Sequence, residues 1–102
     1  MVKVYLLWDG DYLCGVFSVL ENAKTAAEKQ VAYMREMMEE SMKRHKIDVK
    51  IGKTTWSKNT CIPGENCWSM MYDIMYDDGI PRHNGVSVIE TTLDKFESQL
   101  RR

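Results

Sequence analysis

The sequence predicts a single α+β domain: an antiparallel sheet of four to five strands with one long helix across one face, in the order β-β-α-β-β-β-α. Three observations predict it. Residues 19–46 contain no proline or glycine and carry apolar residues at three- and four-residue steps, the pattern of an amphipathic helix. On either side lie short runs of β-branched, aromatic and aliphatic residues separated by turn residues, which read as strands with short connections. A length of 102 residues supports one hydrophobic core spanning 1–102, and not two. Short connections favour antiparallel pairing, and a helix laid on the sheet buries its apolar face.

The elements follow in order. "VKVYLLWD" opens a strand with Val2, Val4, Leu6 and Trp8 on one parity and Lys3, Tyr5, Leu7 and Asp9 on the other. Asp9-Gly10-Asp11 is turn chemistry, and "CGVFSV" returns as a second strand. Ser18-Val19-Leu20-Glu21 fits a capping box, in which serine and glutamate satisfy each other's exposed backbone donors. Leu20, Ala23, Ala27, Val31, Met34, Met38 and Met42 then form the helical stripe, widened by Ala26, Tyr33 and Met37. Lys43, Arg44, His45 and Lys46 suit the negative end of the helix dipole. "IDVKIGKTTWS" is a third strand weakened by Gly52, and "NTCIPGEN" reads as a loop built on Pro63-Gly64. "WSMMYDIMYDD" is the fourth strand, "PRHNG" a second loop, and "VSVIET" the fifth strand. Leu93, Phe96 and Leu100 sit at helical spacing behind Thr91 or Thr92 as cap, giving a short final helix.

The fourth strand raises the functional question. A strand with one wet face should be apolar on one parity only. Here Trp68, Met70, Tyr72, Ile74 and Tyr76 share one parity, yet the other mixes Ser69, Asp73 and Asp77 with Met71 and Met75. If Val2, Val4, Leu6 and Trp8 join the aromatic parity beneath the long helix, the far face carries Tyr5, Leu7, Met71, Asp73 and Met75. Those five are the candidate protein-binding residues, because an exposed apolar patch marks an interaction site and methionine adapts to varied partners. The final helix folding back and self-association are the other ways to cover that face.

Composition sets the remaining bounds. The chain is 44% hydrophobic and 28% charged, as in an ordinary globular protein. No apolar run approaches the ~20 residues of a membrane helix, and the N-terminus lacks a signal-peptide pattern, so the expectation is an intact cytoplasmic protein away from the membrane. Three cysteines leave one over after any disulfide, which argues for reduced thiols. Charge is uneven: residues 43–58 hold six Lys or Arg against Asp48, a local +5 in a chain of net −1. Lys50, Lys53, Trp56 and Lys58 in that segment form the alternative candidate, a nucleic-acid contact of phosphate-binding lysines around a stacking ring. A pI near 6.1 favours protein over nucleic acid as partner.

Catalytic signals are weak. Asp9, Asp11, Asp73, Asp77 and Asp78 lack a fixed ligand or acid–base spacing and suit solvated turns. Cys14, Cys61, Cys67 and His83 would make a zinc set on paper, but the closer pair is separated by five residues and no CxxC is present. There is no phosphate-cradling glycine loop and no nucleophile elbow, so the sequence argues for no enzyme and no cofactor.

Residues 3–27, "KVYLLWDGDYLCGVFSVLENAKTAA", resemble the opening of small bacteriophage and prophage accessory proteins, in which a strand ending in an acidic turn leads into "GVFS" and an alanine-rich helix. The resemblance covers the first quarter of the chain and assigns no functional residue. It implies a protein made in an infected bacterial cell that binds a host or phage protein, with antiviral defence components such as CRISPR-Cas among the host targets.

Overall fold

The apolar runs settle into six strands and two helices among the described residues. They are β1 (Lys3–Asp9), β2 (Tyr12–Phe17), α1 (Leu20–His45), β3 (Lys50–Ile51), β4 (Thr55–Ile62), β5 (Glu65–Met75), β6 (Pro81–Thr92) and α2 (Leu93–Leu100). The structure, a computed structural model, describes residues 2–62, 65–76 and 79–100, without the side chains of 59–62, 65 and 97–100. The expected α+β order is observed, with β3 and β4 forming two pieces of the expected third strand.

All pairings are antiparallel, in the order β2-β1-β6-β5, with β3 and β4 both on the free side of β5. β3 pairs with Ile74–Met75 and β4 with the stretch up to Met71, so this edge is one strand interrupted at Gly52–Thr54. Arg35 of α1 fills the interruption. Its Nη1 donates to the Gly52 carbonyl at 2.7 Å and to Thr54 Oγ1 at 2.8 Å, and its guanidinium lies 5.3 Å from the Tyr72 ring centre.

Two expected loops are strand instead. Asn59–Ile62 end β4 and Glu65–Asn66 begin β5, with Pro63 and Gly64 outside the described residues. "PRHNG" is the first part of β6, where Pro81 to Gly85 pair with Met75 to Met71. Proline is tolerated at the first residue of a strand, and pairing with the long β5 outweighs the turn propensity of Asn84 and Gly85.

α1 has 26 residues, roughly 39 Å at 1.5 Å per residue. Its N-cap is Val19 with no side-chain cap, so the Ser18 box does not form; serine falls one residue outside the capping position. Its C-terminus closes through Lys46 in the left-handed region (φ 53°) and the Ile47 N–H donating to the Met42 carbonyl at 2.9 Å. Ala23, Ala27 and Val31 are buried, and their small size lets the helix lie close over Leu7, Tyr72, Ile74, Val86 and Val88. Tyr33 and Met37 are exposed, so the buried stripe is narrower than expected.

The sheet register defines both faces. Tyr5 and Leu7 of β1 stand with Val86 and Val88 of β6 and Trp68, Met70, Tyr72 and Ile74 of β5 under α1. The opposite face is a ladder of rows: Val4 and Thr91, then Leu6, Ile89 and Cys67, then Trp8, Ser87 and Ser69. Past the end of β1 the ladder continues as Gly85 and Met71, His83 and Asp73, and Pro81, Met75 and Lys50.

Candidate binding surfaces

The parity of β1 is opposite to the expectation, and this divides the proposed five-residue surface. Leu7 is 2% exposed within the α1 core, and Tyr5 packs against that core with its ring 6.3 Å from Trp68. Neither faces the same solvent as Met71, Asp73 and Met75. Burial and the neighbouring Glu90 push the Tyr5 hydroxyl above its ordinary range, as expected beside a carboxylate that favours the protonated phenol.

Met71, Asp73 and Met75 do share one face. Gly85 lies opposite Met71, and a Cβ there would stand 2.6 Å from the Met71 sulfur, so the missing side chain is what lets Met71 lie flat on β6. One row further, Asp73 Oδ1 and His83 Nδ1 are 2.7 Å apart, both largely exposed. The last row brings Met75 beside Lys50, and Asp48, Lys50, Met75 and Tyr76 line a shallow hollow of about 210 Å³. Ile47 and Ile80, in the chain segments leading to this row, are 48% and 56% exposed, and Met75 is 42% exposed. Sequence reasoning weighed His83 only as a zinc ligand, because "PRHNG" reads as a loop rather than as a strand facing β5. The β5–β6 register brings His83 opposite Asp73, one row from Met75.

The near half of the same face is closed. Val4, Leu6, Cys67 and Thr91 are 6% exposed or less. α2 leaves β6 at Thr92, and the Leu93 N–H donates to the Val2 carbonyl at 2.9 Å, so the helix starts at the closed end of this face. Leu100 is within α2, its side chain outside the described residues.

The four basic-segment candidates do not form one surface. Trp56 and Lys58 share the α1 face with Trp68, whereas Lys50 stands on the opposite face and Lys53 lies in the interruption between β3 and β4. Lys24 Nζ lies 5.6 Å from the Trp56 ring and 5.9 Å from Trp68, and Lys58 Nζ lies 5.7 Å from Trp68. Trp56 packs against the core, with one ring face taken by Lys24.

The metal and thiol candidates fare as follows. Among the described residues no three His, Cys, Asp or Glu side chains are grouped as a metal site. Asp77 and Asp78 lie outside those residues, as does the Cys61 side chain. Cys67 is disulfide-bonded, which corrects the expectation of an incidental thiol there and removes it as a support for a reducing compartment. Cys14 is free, and burial, then Asp9, push its thiol above the ordinary range, which favours the protonated form. Among the described residues no helix is long and apolar enough to cross a membrane.

Fold and surface define an α+β protein whose sheet is covered along its length on one side and only in part on the other. Compared with family models, curated proteins and solved structures, the chain shows no match.

Proposed function

We propose that the chain is a non-catalytic binding protein that engages another protein through the open half of the sheet face: Met71, Asp73 and Met75, extended by His83. One observation carries this reading. Exposed Met75 and half-buried Met71 stand where no described element is shown to cover them, beside polar groups that lie close to one another: Asp73 hydrogen-bonded to His83, and Asp48 and Lys50 lining one hollow. Exposed methionine beside hydrogen-bonded polar groups suits a protein-contact surface, where methionine is enriched. The resemblance of residues 3–27 to phage and prophage accessory proteins supports a host protein as the partner, a defence component being one class.

The test is affinity capture from nuclease-treated bacterial lysate with wild type and Met75→Glu, the variant first shown to fold by circular dichroism. A protein retained by wild type and lost in the variant is the expected result. Equal retention by both overturns the surface. Capture that vanishes with nuclease and weakens in Lys58→Ala would replace it with the nucleic-acid reading.

A further inference from the structure

The two edges of the sheet are built differently. The β3–β4 edge is interrupted at Gly52–Thr54 and carries Lys50, Lys53 and Lys58, all exposed, which are the usual devices against pairing with another strand. The β2 edge has no interruption and no lysine, and its one irregularity is a bulge at Cys14. Tyr12–Phe17 contains no charged residue, and its outer side pairs with no described strand. Tyr12 and Val16 are 73% and 45% exposed, although β-strand neighbours of such size normally pack against something.

The order of faces along β2 is the second observation. The register runs from Leu7 opposite Gly15 to Trp8 opposite Leu13, which leaves Cys14 as the extra residue of a bulge. Cys14 and Phe17 pack against the α1-side core, and Tyr12 lies opposite Asp9 on that same parity of β1. Leu13 and Val16 lie opposite Trp8 and Leu6, on the other face. Read from either end, β2 therefore runs α1 face, far face, α1 face twice, far face, α1 face. An isologous antiparallel pair needs this palindrome, because residues directly opposite must point to the same side.

We propose that β2 is a self-association edge, which pairs antiparallel with β2 of a second copy about a two-fold axis perpendicular to the sheet. Tyr12 stands opposite Phe17 of the second copy and Leu13 opposite Val16, each contact occurring twice. The bulge residues Cys14 and Gly15 fall at the axis, where each copy meets the other's bulge and the two bends match. Such a surface recognises a second copy of this chain in preference to an arbitrary strand, since an unbulged strand in this register would turn half its side chains to the wrong face. It lies away from Met71 and Met75, so the pairing is compatible with the proposed binding half and independent of it.

One strand pair makes an interface at the small end of the range, so association is expected at roughly 100 µM. Sedimentation equilibrium across that concentration should show the wild-type mass rising from 11.9 kDa toward twice that value. Val16→Lys and, separately, Tyr12→Lys should stay at the chain mass while keeping the wild-type circular dichroism, and Met75→Glu should associate like wild type. In wild type, hydrogen exchange at residues 12–17 should slow as concentration rises. A wild type that stays at 11.9 kDa overturns the proposal, as does association that survives Val16→Lys and is lost in Met75→Glu.

Discussion

The two halves of the sheet face turned away from α1 have similar strands and opposite fates. Val4, Leu6, Cys67 and Thr91 are shut away, while Asp73, Met75 and His83 stand exposed a few rows further along β5 and β6. Side-chain character does not separate them, since Met75 is as apolar as many core residues. Reach does. β6 has 12 residues, roughly 40 Å of strand, and α1 spans a comparable length on its own side. α2 has eight residues, roughly 12 Å, and starts at the β1 end, so it is too short to reach Met75. Where cover runs out, the sequence first turns polar: Ser69 and Ser87 face each other at 3.4 Å. Beyond that boundary methionine returns at 71 and 75, where a purely solvated face would hold polar residues. That return is the feature a binding role explains.

The largest test of the difference is a pair of truncations. Leu6→Ala, at 3% exposure, should cost roughly 2–5 kcal/mol in urea denaturation, from lost transfer energy and the cavity left behind. Met71→Ala, on the open half, should cost less than about 1 kcal/mol. Equal losses would mean that both halves are closed in solution, by α2 or by a partner copy. Leu7→Glu belongs with the first variant: it would drive a carboxylate into the α1 core and unfold the protein whatever binds the other face.

The architecture was legible in the sequence where a pattern is local, and illegible where it depends on distant pairing. The 3.6-residue stripe through Ala23, Ala27 and Val31 announced α1, and the even parity of β5 announced the face beneath it. β1 could not announce its own orientation, because Leu6 and Leu7 are both buried and a strand covered on both faces shows no polar side. Only the cross-strand register of Leu7 with Val88, and of Val88 with Trp68, decides which parity meets α1. "PRHNG" misled for a related reason: its turn residues lie within β6 because β5 pairs along its whole length. The candidate surface was therefore half legible, through Met71, Asp73 and Met75 on one strand. His83 joins it through the fold.

A smaller effect contrasts residues 71 and 72, neighbours on opposite faces. Tyr72 is 1% exposed, and its hydroxyl accepts a hydrogen bond from Asn84 Nδ2 at 3.1 Å. Burial raises its pKa above the ordinary 10.0, against the lowering influence of Asn84 and Arg35. The folded state thus holds this proton more tightly than the unfolded chain. The associated stability is present below pH 10 and is lost as pH rises through the folded-state value. Tyr72→Phe should cost about 1 kcal/mol at neutral pH, because Asn84 loses its acceptor. It should also flatten the alkaline fall in stability, leaving the contribution of Tyr5, whose pKa is raised as well. An alkaline slope identical to wild type would show that Tyr72 is reached by solvent, and that α1 covers its side of β5 less completely than Val31 and Ile74 indicate.

The smallest effect tests how dry the closed half is. Thr91 is 6% exposed, stands opposite Val4, and its Oγ1 has no hydrogen-bond partner among the described residues. A buried hydroxyl without a partner carries its desolvation cost, whereas valine has nearly the same shape and none of that cost. Thr91→Val should therefore raise stability by roughly 0.5–1 kcal/mol, read as a higher urea midpoint at unchanged slope. A lower midpoint would mean that water or a side chain reaches this hydroxyl, so that the closed half is porous. The contrast between the halves would then be one of degree, and Met75 would be exposed only because it lies furthest from the closed end.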